Sequence, residues 1–484
     1  MLFVPVFTIL LGATTAANVD NIFRPFVSND TEILPFADIS NISDLSQRWD
    51  VLYEPTYLGA VKPAGEKDLQ AIVKIASARG IPFLATGGGH GVSATLDNLR
   101  NGLDIDLGNF KSVHLDIERN RLTVGGAVHF GDVIDLLYNS SREIPITASP
   151  CVGMLGATLG AGIGIMQGIR GPLLDSLESV RLVTASGQIV TASEGENEEL
   201  FWALRGAGHN FGIITSATYR VYLATNDGQV TNADFLFLAP QNGSVWSYMA
   251  SLDDTLPAEL AFTFFVSRNP LTPNSTVPII AVNAAYFGPQ AEALPHLQPL
   301  IDLGPVMSNI STVPLNEELG AQFFGISAGN GACDTGNIVN VYGLALKHTD
   351  ASAWETHFND LTSFFHEYPE YEGRVLIQRF PNQAAVAVAD SATAYPHREA
   401  KIHLSMEGWY TNRSLDDAVN AFLDASRAKF QQTSGFSEQA VYVNYAHGDE
   451  GPVAWYSSRK LHKLKALKTR WDPTGLFNWY NPIA

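Results

Sequence analysis

The chain has 484 residues, enough for two or three domains, and is 46% hydrophobic and 16% charged. That composition excludes a disordered chain, a coiled coil and a collagen-like protein. With 30 Lys plus Arg against 49 Asp plus Glu, the net charge of −19 excludes a phosphate backbone or an anionic membrane surface as a natural partner.

The chain begins with an apolar run, Leu2 to Leu11, followed by small residues up to Ala17. Residues 1–17 read as a secretory signal peptide without the usual basic start. Seven Asn-x-Ser/Thr triplets begin at Asn29, Asn41, Asn139, Asn242, Asn274, Asn309 and Asn412, so N-linked glycans and a secreted or secretory-lumen location are expected. No later run of about 18 apolar residues offers a membrane span. Residues 53–86 read as strand, helix, strand. Leu69, Ile72, Val73 and Ala76 mark one helix face, and Gly80 is the stop. The second strand runs into Gly87-Gly88-Gly89-His90-Gly91.

Short β-like runs fill residues 101–129, and a small helix follows from Gly131 to Tyr138. A second glycine-rich stretch spans Gly153 to Gly168. Val180 to Val190 reads as a hairpin turning at Ala185-Ser186-Gly187, Glu198 to Leu204 as a helix and Phe211 to Tyr222 as a strand. Past residue 225, strands such as Phe262–Val266, Ile279–Ala285 and Ile338–Leu346 alternate with polar loops. Two amphipathic helices carry Trp354, Phe358, Leu361 and Phe365, and Leu415, Val419, Phe422 and Ala425. A Lys- and Leu-rich helix, Arg459 to Arg470, precedes the end. Strands with a few long helices on one sheet face make an α+β domain.

Glycines after a strand let backbone N–H groups approach a diphosphate, an anion-binding device that needs no basic side chain. The spacing is not that of a GxGxxG nucleotide fold. Two such loops about 65 residues apart are better explained by one extended cofactor than by two unrelated turns. Between 402 and 409 the alternation sets Ile402, Leu404 and Met406 on one face and His403, Ser405, Glu407 and Trp409 on the other. Cys151 and Cys333 have no metal-ligand spacing, and with Cys151 in a glycine-rich cofactor stretch they are expected to stay unpaired.

These motifs, in this order, resemble the FAD-linked oxidoreductases of the vanillyl-alcohol oxidase superfamily, in the berberine-bridge-enzyme-like branch. The residues that carry the resemblance are Ala60 to Pro63, Gly87 to Gly91, Pro150 to Gly160, Leu200 to Gly206, Asn210 to Ser216, Tyr442-Val443-Asn444-Tyr445, Trp471-Asp472-Pro473 and Asn481-Pro482-Ile483. The wording of the second glycine motif is most similar to fungal members associated with secondary metabolism. The resemblance implies an α+β fold. A two-lobed PCMH-type FAD-binding domain (18–225) is followed by a substrate domain (226–435), whose antiparallel sheet is covered by helices on one face. A C-terminal segment (436–484) returns to the FAD domain. It implies FAD attached covalently through His90, with contacts from Thr86, Gly87, Gly88, Gly89, Gly91, Ser149, Cys151, Gly153, Gly156, Ala157, Gly160, Gly162, Ile214, Asn444 and Asn481.

Many relatives add a thioether from a Cys two positions before Cys151. Ser149 stands there, which implies a single tether through His90, with a slip that brings Cys151 to the flavin as the alternative. Some relatives carry a His where Ala157 stands. Tyr445 is the first candidate for the catalytic base, although a Tyr hydrogen-bonded in the core gives the same signal. His403 and Glu407 are the second candidates. The implied reaction is a two-electron oxidation of an alcohol or related C–H centre of a small secondary metabolite. O2 is the acceptor, H2O2 is released, and the product in some relatives cyclises. A carbohydrate oxidase of the same superfamily is the alternative.

Overall fold

The computed structural model describes residues 19–35, 45–269, 272, 275–326 and 333–483. The leader reading of 1–17 and the sequons at Asn41 and Asn274 lie outside them.

Among the described residues, three larger sheets and one two-stranded sheet build the molecule. The first joins β1 (Glu32–Pro35), β2 (Tyr57–Lys62), β3 (Phe83–Thr86) and β4 (Gly102–Asp106) in the order β1-β2-β4-β3, with β2, β4 and β3 parallel. The crossover is the helix Glu66–Arg79, which buries Leu69, Ile72, Val73 and Ala76 and stops at Gly80 with φ +63°, a backbone conformation that suits glycine. The second sheet joins β5 (Val113–Asp116), β6 (Arg121–Gly125), β8 (Leu177–Val183), β9 (Ile189–Ser193) and β10 (Ile213–Arg220) in the order β5-β6-β10-β8-β9. The short strands β7 (Arg142–Glu143) and β11 (Tyr222–Leu223) pair beside it. The glycine-rich 153–168 stretch is not all loop: Met154–Gly160 forms a buried helical turn.

The third sheet contains β12 (Gln229–Phe237), β13 (Leu260–Arg268), β14 (Pro278–Tyr286), β15 (Met307–Pro314), β16 (Val339–Leu346), β17 (Arg374–Arg379) and β18 (Ile402–Trp409) in the order β15-β12-β14-β13-β17-β18-β16, all antiparallel. Its core face packs Phe262, Phe264, Ile377, Leu404 and Met406 against the helices Asn242–Ser251, Gln290–Asp302, Ala351–Glu367 and Asp416–Gln432. The last of these buries Val419, Leu423 and Phe430 and leaves Ala425 exposed. The expected stripe is rotated because Phe422 stacks on Phe364 at 4.2 Å and Leu423 takes the place facing the sheet. The opposite face of the sheet looks onto the functional site. The tail, with its helix Ser458–Trp471, folds back on the second lobe, where Lys468 donates to the carbonyls of Asn210 and Phe477. Among the described residues no helix is long and apolar enough to cross a membrane.

Candidate active site

A cavity of about 900 Å³ lies between the two glycine stretches and the open face of the third sheet. The glycine loops meet directly. A Cβ at Gly88 would come 2.7 Å from the Gly153 nitrogen, and one at Gly87 would come 2.8 Å from the Gly126 oxygen. Gly89, at φ +70°, is pressed against the Gln47 carbonyl. Glycine is required at Gly88 so that two stretches some 65 residues apart can close one wall, and at Gly87 and Gly89 so that the first loop can lie against the Gly126 and Gln47 backbone. Thr86, at the end of β3, donates to Asp104 on β4 at 2.7 Å and fixes the strand from which the first loop leaves. Burial raises the Asp104 carboxyl to about 7.

His90 stacks on Trp49, with centroids 5.8 Å apart and planes 17° apart. Burial first, then the electrostatic influence of neighbouring His129 and Arg48, lowers its pKa to about 4, so its imidazole is neutral at physiological pH and has a free lone pair. Trp49 also meets Trp409 edge-on at 5.5 Å, so the first lobe touches the third sheet beside His90.

The tail supplies two phenols around the turn Val443–Tyr445, Tyr442 just before it and Tyr445 at its end. Tyr442 Oη accepts from the Gly162 N–H at 3.2 Å and from Asn444 Nδ2 at 2.9 Å. Burial pushes it up to about 12 while those donors pull the other way. Tyr445 Oη donates to Gln378 Oε1 at 2.9 Å, and burial raises its pKa well above the ordinary phenol value. The rings meet edge-on at 5.0 Å. Tyr442 belongs to the same motif as Tyr445, and the residue types alone do not say which hydroxyl is surrounded by donors.

From the sheet, Glu407 accepts from Arg374 Nε at 2.6 Å, Trp409 Nε1 at 3.0 Å and Ser405 Oγ at 3.3 Å. Arg374 carries no local sequence signal of a site role.

Of the expected residues, Thr86, Gly87, Gly88, Gly89, His90, Gly91, Ser149, Gly153, Gly156, Ala157, Ile214, Glu407, Asn444 and Tyr445 line the cavity. Five expected residues are placed differently. His403 lies behind the wall, fully buried against Tyr442 at 5.8 Å; neither ring nitrogen has a partner among the described residues, and burial lowers its pKa to about 3. Gly160 packs against Asn444, and Gly162 supplies the N–H to Tyr442. Asn481 is a buried tie: it accepts from Ser93 Oγ and donates its side-chain amide to the Val443 carbonyl. Cys151 is bonded to Cys333 with Cα atoms 5.6 Å apart. This overturns the expectation that the cysteines stay apart and removes the thiol that the alternative flavin tether would need. The two residues are 182 apart, and only the closure of the substrate domain over the second glycine stretch brings them together.

The lining fits FAD. Thr147 Oγ1, His209 Nδ1, Asn444 Oδ1 and Trp479 Nε1 are buried, lack partners among the described residues and belong to residues that line this cavity, as expected where a polar ligand completes the bonding. Gly156 opens onto the cavity with nothing within 4 Å of where a Cβ would stand. Among the described residues no cluster could hold a metal ion.

Known proteins agree with this geometry. Residues 57–193 match the family described as FAD binding domain, and residues 441–484 the one described as Berberine and berberine like. The FAD-linked oxidoreductase azaG of Aspergillus niger is 49% identical over 95% of this chain and 97% of its own. The FAD-linked oxidoreductase tazG of Aspergillus terreus is 46% identical over 98% and 96%. The fold is that of the Physcomitrella patens BBE-like 1 protein (TM-score 0.83, 20% identity, 96% of this chain and 99% of that one). The xylooligosaccharide oxidase of Myceliophthora thermophila C1 shares it as well (TM-score 0.82, 22% identity, 96% and 99%). The chain belongs to the FAD-linked oxidoreductases, in their berberine-like branch, and is an FAD-dependent enzyme.

Proposed function

We propose that this chain is a secreted, glycosylated oxidase that removes two electrons and two protons from an alcohol or related C–H centre of a small secondary metabolite and delivers them to O2, giving H2O2. FAD is held through His90 alone. The observation that carries this reading is the meeting of the neutral His90 imidazole, the two tail phenols and the sheet wall around one cavity. The full-length similarity to fungal FAD-linked oxidoreductases supports it.

FAD, when bound, supplies the hydride acceptor and the route of the electron pair to O2. The chain supplies the proton chemistry and the positioning. Tyr442 is the base: once its own proton has left to solvent, its phenolate takes the substrate O–H proton, and the two N–H donors aimed at its oxygen offset part of the burial that otherwise disfavours that phenolate. Tyr445, whose own proton is committed to Gln378, stays neutral and orients the substrate. Glu407, held by Arg374, Trp409 and Ser405, is an ion-paired wall group. Ser149 lines the cavity where many relatives place their thioether Cys, and it cannot form that bond.

The test is acid denaturation of protein from a secretory host, followed by mass mapping of the flavin-bearing peptide. Flavin on the His90 peptide alone, bleached by an alcohol substrate and recovered in air with peroxide, is the expected result. Flavin on the Cys151 peptide would refute the single tether. A bleached flavin that stays reduced in air would refute the oxidase.

A further inference from the structure

The sheet wall of the cavity carries features that the proton chemistry does not use. Arg374 spends its Nε on Glu407, and among the described residues its two terminal nitrogens meet no protein acceptor. Its guanidinium carbon lies 4.7 Å from the Trp409 ring centroid and 5.5 Å from that of Phe265. Phe265 in turn meets Phe323 edge-on at 4.8 Å. A row of cation, ring, ring therefore runs along the wall, with Trp409 against the cation outside the cavity lining.

The last of these rings is held by a costly device. Phe323 and Phe324 both have left-handed backbone, φ +54° and +61°, a rare conformation for bulky residues. The buried Asp234 carboxylate accepts both of their N–H groups, at 2.8 and 2.9 Å, and is itself held by Asn283 and Asn232. Strain over-determined in this way, at a turn that lines a cavity, points to a role for the turn's position.

We propose that this wall is the specificity site and that it takes a flat conjugated ring bearing an oxygen acceptor, a carboxylate or a conjugated carbonyl. The ring packs against Phe265 and Phe323, and the oxygen takes the free edge of Arg374. Glu407 neutralises the cation on its Nε side, so the edge selects by direction and planarity more than by net charge. Asp234 is a positioning residue that acts through the Phe323–Phe324 turn. This assignment rests on the oxidase reading, and it narrows the substrate from any small metabolite to a planar one.

The test measures binding by calorimetry on the flavin-loaded protein, with 2-naphthoate as the planar acid, cyclohexanecarboxylate as the non-planar acid and cellobiose as the neutral sugar. Naphthoate should bind at least tenfold tighter than either of the others. Arg374→Met, made together with Glu407→Gln so that no charge is stranded, should weaken it by tenfold or more. Phe265→Leu should weaken it severalfold. Asp234→Asn should weaken naphthoate while leaving the flavin content unchanged. Equal or tighter binding of cellobiose, or naphthoate binding indifferent to the Arg374 change, would overturn the proposal. Flavin content and recovery of a light-reduced flavin in air are read on the same samples. A slot that fails with these intact leaves the oxidase standing, and a slot that holds while recovery fails removes only the oxidase.

Discussion

The Cys151–Cys333 disulfide makes the sharpest test of how the cavity is closed. It spans 182 residues and fastens the second glycine stretch to the segment leading into β16. That segment is already tied to the first lobe, because Gly336 and Asn337 donate to the carbonyls of Arg48 and Trp49 and Asn337 accepts from Val51. In the chain-entropy account, a loop of that length is worth about 5 kcal/mol, the most the bond can contribute. A chain of 484 residues unfolding as one unit has an unfolding entropy of roughly 1 kcal/mol per kelvin. The double change Cys151→Ser and Cys333→Ser should therefore lower Tm by about 5 °C or less. Cys333 is exposed, so a mild reductant acting on the native protein should give the same shift. Differential scanning calorimetry with and without reductant reads the effect, and a thiol titration of the unfolded, unreduced protein should find no free sulfhydryl. Flavin should stay on the His90 peptide in the double variant. Two titratable thiols, a Tm indifferent to reductant, or loss of bound flavin in Cys151→Ser would refute the reasoning.

The two phenols separate on kinetics: Tyr442→Phe should slow anaerobic flavin reduction by about 10²-fold or more, the scale of a lost general base, and Tyr445→Phe by less than about tenfold. The reverse ranking would return the base to Tyr445. Glu318 is fully buried, one of its oxygens lacks a partner among the described residues, and burial raises its carboxyl from 4.5 to about 8. The folded protein keeps that proton while the unfolded chain loses it, so stability falls as pH rises from 4.5 to 8, by up to about 1.4 kcal/mol per pH unit. Glu318→Gln should raise Tm at pH 8 and make no difference near pH 4; equal Tm values at pH 8 would sink the argument. Glycopeptide mapping should find Asn242 bare, because it is buried and its carbonyl oxygen accepts from Trp246 Nε1, whereas Asn29, Asn139 and Asn309 are exposed. A glycan on Asn242 would contradict the packing of its helix.

Much of this was legible because local chemistry demands it. Gly87, Gly88 and Gly89 announce a loop that nothing larger could form, and the 402–409 alternation announces one packed and one open face. What was not legible depends on long-range proximity. The sulfur of Cys151 has no local sign of a partner 182 residues away. His403 shares the period of Ser405 and Glu407, yet it sits behind Tyr442, because the tail covers that end of the strand. Asn481 lies in a terminal motif that reads as cofactor-binding, but its bonds go to Ser93 and Val443. The roles of Arg374 and Asp234 appear only when β17 is laid beside β18 and when the 323–324 turn is set over β12.

The strand register explains why the fold and the site cannot be varied separately. Cross-strand pairing sets Arg374 opposite Glu407, Leu376 opposite Ser405 and Gln378 opposite His403. One end of this ladder builds the proposed recognition wall. The other end holds Tyr445 through Gln378 and backs Tyr442 with His403. A slip of one residue would send Arg374 and Glu407 into the packed core and bring Val375 and Met406 to the cavity. The phenols arrive from the tail, which is tied down elsewhere: Lys468 on the Asn210 and Phe477 carbonyls, Asn481 on Val443, and Tyr456 on the Asn481 carbonyl. Weakening any of these ties should therefore act on proton transfer through Tyr442 before it touches the glycine loops. The tail ties hold the turn beside the proposed base, whereas the loops are held by their own backbone contacts.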